Sequence, residues 1–410
     1  MRWWPSGGLW RHPDFLRLWA AQAASAFGSR ITRTALPIIA ILSLGATPTQ
    51  VAVLSALGVA PGVFVGLLAG GYVDRAARRP LLVGADLARA LLILTIPAAA
   101  WLGVLTMPQL YGVATAVGAA TTLFQLADNS YLPALVGRER VLEGNARLEA
   151  TESIAEATGP GVAGVLVQAL TAPVAVALDA LSYLWSALLL SRIRVRETPV
   201  AASETRPTVV GDVLTGVRAC LAHPLVGPAL LAEAVVFFFG GFWLGLYMLL
   251  ALDTLGLSPA TAGVVISVGG VGALAGALLA EPLARRAGMG RAMAVSLAIG
   301  AAANLFIPLA LANGSVAVPL LVLQQLIGDT FLGAYLIHSL SLRQRVLPPE
   351  VLGRANATFH VVTGLVLPAG ALVAGPLAEA AGMSATAWIA ACGGLLAAPV
   401  LIASPVLRAR

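Results

Sequence analysis

The chain has 410 residues, of which 59% are hydrophobic and only 11% charged, and its mean hydropathy is +0.89. Those values exclude a soluble enzyme and a soluble module with a single anchor, and they describe a polytopic membrane protein. The formal net charge of +6 and the pI near 10.0 would suggest nucleic acid in a soluble domain. Here they reflect basic loops beside a bilayer, so no nucleic-acid partner is expected. All 25 basic residues are arginine. Two cysteines, Cys220 and Cys392, support neither a disulfide framework nor a metal cluster, and no metal or cofactor is expected. Met1 to Pro13 carries arginine and tryptophan without an apolar core, which argues against a cleavable signal. Trp3, Trp4, Trp10 and Trp19 suit anchoring at a membrane interface.

Twelve apolar stretches follow, at about 15–43, 50–72, 81–103, 109–134, 148–170, 173–191, 226–252, 260–281, 292–312, 316–342, 357–380 and 385–405. Each has about the ~20 residues that a membrane-crossing helix needs. The connections alternate in charge. One set has no arginine, and the opposite set holds Arg75, Arg78, Arg79, Arg138, Arg140, Arg285, Arg286, Arg291, Arg343, Arg345 and Arg354. Both termini fall with the arginine-bearing set, which predicts an even number of spans with both ends cytoplasmic.

The sequence repeats itself. A shift of 211 residues lays Thr47-Pro48 on Ser258-Pro259, Leu67-Leu68-Ala69 on Leu278-Leu279-Ala280, Asn145-Ala146 on Asn356-Ala357 and Gly164 on Gly375. Six spans per copy keep both copies in the same orientation, so the repeat is parallel, about an axis along the membrane normal. The expected organisation is a six-helix bundle over 1–191, a linker over 192–225 and a second six-helix bundle over 226–410. Within the linker Val209, Val210, Val213, Leu214, Val217 and Leu221 fall at helical spacing, which predicts an amphipathic helix at the membrane surface.

Between the second and third spans lies Gly70-Gly71-Tyr72-Val73-Asp74-Arg75-Ala76-Ala77-Arg78-Arg79. The positive-inside tendency needs only its arginines; Asp74 adds a carboxylate suited to the amides of a neighbouring helix start. This stretch resembles the signature loop of the major facilitator superfamily. Phe124 to Val136, Arg138-Glu139-Arg140, Asp86, Arg89 and Asp179 to Ser182 are similar to one bacterial branch, with macrolide, multidrug and enterobactin exporters. The resemblance implies an all-α fold of twelve transmembrane helices in two parallel six-helix repeats, in a bacterial inner membrane. It also implies a monomeric secondary transporter that moves a small molecule against protons by alternating access, with no catalytic residues. Gly70, Asp74, Arg75, Arg78, Arg79 and Asn356 would form the conformational latch. Gly159-Pro160-Gly161 and Gly164 resemble the antiporter motif of drug exporters, with Val165 where a second glycine is usual.

A charge at the bilayer centre costs roughly 2.5–3.5 kcal/mol on insertion scales, so such groups should face the protein interior or a wet cavity. Arg30 and Arg33 lie near mid-depth in helix 1 and Asp329 in helix 10. By the resemblance, helices 1, 4, 7 and 10 line a central cavity. Asp329, then Asp128 and Glu152, are the candidates for proton coupling; Arg30, Arg33, Gln125, Glu233, Phe237 and Trp243 are the candidates for the substrate cavity. The arginines either bind an anionic ligand or neutralise Asp329, and Asp128, Glu152, Glu156 and Glu233 are expected to pair with Arg89, Arg147 or one another. His338 and His360 read as ordinary hydrogen-bonded histidines. An alternative within transport is a lysophospholipid or other lipid-like substrate. A membrane enzyme is disfavoured, because the chain has no His-x-x-x-His, no Gly-x-Ser-x-Gly and no phosphate-cradling lysine loop.

Overall fold

The computed structural model describes residues 8–73, 76–195 and 209–408, and all its regular elements are helical. The first six long helices are α1 (Pro13–Leu44), α2 (Pro48–Val73), α3 (Arg78–Trp101), α4 (Met107–Val136), α5 (Val141–Leu170) and α6 (Ala172–Ser191). A shorter α7 (Val209–Ala222) precedes α8 (Val226–Leu249), which ends in a wider π turn over Leu250–Thr254. Then come α9 (Pro259–Ala287), α10 (Met289–Ala303) with α11 (Phe306–Ala312), α12 (Ala317–Val346), α13 (Pro349–Ala381), and α14 (Met383–Leu395) with α15 (Ala397–Ile402).

Helix starts are set by hydroxyl residues beside proline. Ser258 Oγ accepts from Thr261 N at 3.2 Å with Pro259 following, and Thr47 and Gln50 cap each other reciprocally, Gln50 Oε1 accepting from Thr47 N at 3.0 Å. Eleven described helices are long and apolar enough to cross a membrane. Twelve spans were expected, and α5 is the exception. At 30 residues it is long enough for a bilayer, but its first 16 residues carry Glu143, Arg147, Glu149, Glu152 and Glu156.

The 211-residue repeat holds in the elements themselves. Shifted by 211, α3 covers 289–312, the combined extent of α10 and α11, and α6 covers 383–402, the combined extent of α14 and α15. The turn entering the sixth helix of each copy is the same unusual backbone: Thr171 has φ 85° and ψ 153°, and Gly382, 211 residues on, has φ 87° and ψ 158°.

Two compact units result, one of Met1–Ala40 with Leu57–Arg206, the other of Ile41–Ala56 with Pro207–Arg410. The first has a core of Phe15, Leu18, Leu82, Phe124, Tyr131 and Leu190. Its N-terminal turn is held to α5: Arg147 lies over the Trp10 ring at 4.5 Å and Trp19 Nε1 donates to Thr151 Oγ1 at 2.9 Å. Trp10 and Trp19 thus pack within the protein rather than serving only as interface anchors. The second unit has a core around Met293, Leu297, Tyr335, Phe359 and Leu401. One face of α7 belongs to it, with Cys220 buried in that core and Gly216 pressed against Thr358 and the Arg354 carbonyl of α13. In the second unit the first turns of α2 also press on α13. Gly375 leaves no room for a Cβ beside Thr49 and Ala52, and Thr49 N donates to Glu379 Oε1 at 3.0 Å.

Candidate functional site

In the first unit the polar interior is organised by α1. Arg30 is buried and holds two carboxylates one turn apart on α5, Glu152 and Glu156. Gly159 makes this possible: a Cβ there would sit 2.5 Å from Arg30 Cβ and 2.7 Å from Cγ, so only glycine lets the arginine stem pass. The glycine of the antiporter-like motif therefore has a charged partner, not only apolar helix packing. Arg33 is exposed and within electrostatic reach of Arg30, Glu152 and Glu156. Glu152 and Glu156 do not form the expected pairs with Arg89 or Arg147, because those arginines take acids on their own helices, Asp86 and Glu143.

Asp86 and Arg89 form a fully buried pair on α3, with the guanidinium 4.4 Å above the Phe124 ring and 4.2 Å from the Tyr183 ring. Asp128 on α4 accepts a hydrogen bond from Gln22 Nε2, while Gln125 is exposed. Asp179 on α6 is also fully buried. It accepts from Thr32 Oγ1 of α1 and, at 3.1 Å, from Ser182 Oγ. Gly28 brings α1 onto this point, since a Cβ there would overlap both Asp179 and Ser182.

The second unit carries a different polar interior. Glu233 on α8 accepts from Ser339 Oγ at 2.9 Å and lies 3.8 Å from Arg343 NH1, whose guanidinium covers the Phe359 ring at 3.7 Å. Glu233, expected in a substrate cavity, is instead sealed in this network with 6% of its surface exposed. His338, next to Ser339 in the chain, bonds the Ala280 carbonyl at 2.8 Å, and His360 is exposed. Phe238, Phe239 and Phe242 pack on one another, whereas Phe237 and Trp243 are half-buried, Trp243 against the cluster around Leu250.

Asp329 lies at the middle of the 30-residue α12, half-buried, with its carboxylate against α9 at Gly269, where a Cβ would collide with Oδ2. The half-buried Tyr247 of α8 lies within electrostatic reach of it, and its buried hydroxyl has no hydrogen-bond partner among the described residues. Beside it a cavity of about 40 Å³ is lined by Asn304, Gln324, Gly328 and Asp329, with Gln324 Nε2 donating to Asn304 Oδ1 at 3.2 Å. Val236, Leu297, Ala301 and Leu332 also line it, so the cavity is mostly apolar with a polar edge at Asn304, Gln324 and Asp329, and its volume is enough for one or two waters.

Among the expected latch residues, Asp74 and Arg75 lie outside the described residues, and Gly70 is within α2. Arg78 opens α3. Arg79 donates from Nε to the Leu190 carbonyl at 3.1 Å and from NH2 to the Ser191 carbonyl, so it caps the end of α6 inside its own unit. Asn356 sits on α13 with a buried Oδ1 that lacks a hydrogen-bond partner among the described residues. Pro160 and Gly164 are buried in α5. Sequence reasoning gave no role to Gly28, Thr32, Tyr247 or Gly269. The signal was present for Gly269, which falls 211 residues after Gly58, a glycine at the same helix crossing.

The comparisons with known proteins agree with this architecture. The family model described as transmembrane secretion effector matches residues 8–409. The multidrug efflux pump Tap of Mycolicibacterium fortuitum is 27% identical over 395 residues, covering 92% of this chain and 91% of that protein. The uncharacterized MFS-type transporter YkuC of Bacillus subtilis (strain 168) is 24% identical over 256 residues, 61% of this chain and 59% of that one. In structure the chain is similar to the nucleoside transporter NupG, with a TM-score of 0.75 at 16% identity over 95% of this chain and 98% of that one. It is also similar to a bacterial homologue of the iron transporter ferroportin in an inward-facing state, with a TM-score of 0.74 at 18% identity over 97% and 99%. At these identities the structural likenesses show the shared fold, with its two parallel six-helix repeats. The chain belongs to the transmembrane secretion effector family of major facilitator superfamily membrane transporters.

Proposed function

We propose that this transporter exports amphipathic small molecules, of the kind of drugs, macrolides or siderophores, in exchange for protons. It would work as a monomer in the bacterial cytoplasmic membrane with both termini in the cytoplasm. The observation that carries the export reading is the similarity along 92% of the chain to a protein named as a multidrug efflux pump. The chain holds no nucleotide-cradling motif in its sequence, and an ion gradient is the remaining source of work.

Proton coupling is supported by Asp329. A carboxylate in the middle of a long apolar helix is costly unless it has a partner or a proton, and α9 and α12 are shaped around it by Gly269. With a proton it is a neutral group that can enter an apolar environment; without one it needs water or a cation. Alternating access then exposes the carboxyl to each side in turn, loading the proton on one side and releasing it on the other. Asp128 and the Glu152–Arg30–Glu156 cluster are the other ionisable groups through which protonation could set the position of α1.

The test is proton movement in proteoliposomes under an imposed pH gradient, with wild type and Asp329→Asn challenged by lipophilic dyes and macrolides. Dye-dependent proton flux in wild type, reduced at least about tenfold in the variant, is the expected result; a tenfold change corresponds to ~1.4 kcal/mol. Equal flux in both proteins would remove Asp329 from the mechanism. Absence of flux with every dye would remove the proposed substrate class.

A further inference from the structure

We infer that Asp179 is a second proton-carrying carboxyl of the transport cycle, and that Thr32 couples its charge state to the position of α1. The inference rests on the proton-coupled reading above and adds to it a site in the other unit.

Three aspartates of the first unit are linked electrostatically through Asp86. Asp86 lies within electrostatic reach of both Asp128 and Asp179, and Arg89 is the cation among them. Arg89 is committed to Asp86, its ion-pair partner on the same helix. Asp179 is buried as completely, yet among the described residues no cation pairs with it: its side-chain partners are the hydroxyls of Thr32 and Ser182. A buried carboxylate without a cation is expensive, whereas the neutral acid is not.

Hydroxyl partners suit both states. A hydroxyl donates to a carboxylate and accepts from a carboxylic acid, so Thr32 and Ser182 can satisfy Asp179 either way by rotating one O–H bond. An arginine partner could serve only the anion. The step is a proton transfer: an O–H bond forms on Asp179 when water delivers a proton and breaks when water removes it. On α1 the residue after the buried Thr32 is Arg33, whose side chain reaches the surface of the helix bundle. The charged groups that bear on Asp179 are Arg89 and Asp86 from α3, with Asp128 beyond them on α4. From α1 Arg33 bears on the neighbouring Tyr183, and Glu152 and Glu156 of α5 are held by Arg30.

The repeat shows that the fold does not require this polarity. At the positions 211 residues on, Asp179 is replaced by Ala390, Ser182 by Gly393, Thr32 by Trp243 and Gly28 by Phe239. There the Phe239 ring fills the space over Gly393. The same helix crossing is thus built apolar in one copy and around a buried acid in the other. Thr32 is bonded to that acid, while Arg30, half a turn earlier on α1, holds the α5 carboxylates. A change of charge on Asp179 therefore acts on the helix that carries Arg30 and Arg33.

The experiment uses the full chain in proteoliposomes with Asp179→Asn, which keeps the shape and the ability to accept from Thr32. Substrate-dependent proton flux is expected to fall at least about tenfold while substrate counterflow, which needs no net proton movement, persists. Wild-type flux in the variant would overturn the inference and leave the proposed function standing; loss of flux in wild type itself would count against the function. An infrared pH titration of the purified protein decides independently of transport. A carboxylic-acid C=O band that titrates in wild type and is missing in Asp179→Asn supports the assignment, and identical spectra overturn it. Should that variant not accumulate, Thr32→Val removes one hydroxyl at nearly constant shape. A displaced C=O band and a pH midpoint of flux moved upward support the coupling, because the anion loses a donor; an unchanged band and midpoint overturn it.

Discussion

Where α1 crosses α6, Gly28 leaves room for Asp179 and Ser182; at the equivalent crossing of the second unit, Phe239 fills the space over Gly393. The other crossings vary in the same manner. Gly159 on α5 admits Arg30, while its counterpart Gly370 on α13 meets Gly241 and the Phe238 carbonyl, backbone against backbone. Gly118 on α4 rests on the Gly58 carbonyl at 2.7 Å for an added Cβ, while its counterpart Asp329 turns a carboxylate to Gly269. Gln22 donates to Asp128 in one unit, and Ser339 donates to Glu233 at the matching pair in the other. At three of these four crossings each copy keeps a glycine on at least one side, and what faces it ranges from bare backbone to a ring or a charged side chain. The fold does not demand a charge there. The charges are therefore set separately in each copy.

This comparison breaks most severely where backbones touch. Gly370→Leu would drive a side chain into the Phe238 carbonyl and Gly241. Overpacking costs typically 1–3 kcal/mol and more against backbone, so about 3 kcal/mol or greater is expected. The check is loss of monodisperse protein after membrane extraction, with Gly66→Ala, whose nearest neighbour is a Thr122 methyl 3.8 Å away, as the tolerated control. Next in size is Glu233→Ala, which strands Arg343 in a buried network and should cost about 3 kcal/mol. Thermal unfolding in detergent reads this, and the cost should exceed that of Asp128→Asn at the matching crossing, where Gln22 is neutral. The smallest effect sharpens the comparison at the shared turn. Thr171 holds a backbone region that only glycine adopts without strain, at φ 85° and ψ 153°. Thr171→Gly is expected to stabilise by about 1 kcal/mol, and Gly382→Thr to destabilise by a similar amount, both as opposite shifts in midpoint temperature.

Much of this frame was legible in the sequence. Hydropathy located the helices because a spanning segment must be predominantly apolar over about 20 residues, and the 211-residue offset followed from Pro48 and Pro259 outward. The same property hid the site. A helix that is apolar all round, such as α2, gives no phase, so the repeat singles out Gly58 and Gly269 as a matched pair but hydropathy does not say which neighbour each faces. Arg30 could not be assigned to Glu152 and Glu156 for the same reason. Their one-turn spacing put both acids on one face of α5, but the partner helix was not deducible from spacing. Glu233 was placed in a cavity on the strength of its helix, and the structure buries it because Ser339 and Arg343 fall one turn apart on α12. Asp179 was noticed as part of a family-like run, yet its significance came only from its neighbours.

The most direct test of exchange is accumulation of a fluorescent amphipathic substrate in inverted membrane vesicles with and without an acid-inside pH gradient. The expected result is uptake that appears with the gradient, collapses when an uncoupler is added and is absent from vesicles lacking the protein. Uptake that is the same with and without the gradient would contradict proton-driven export.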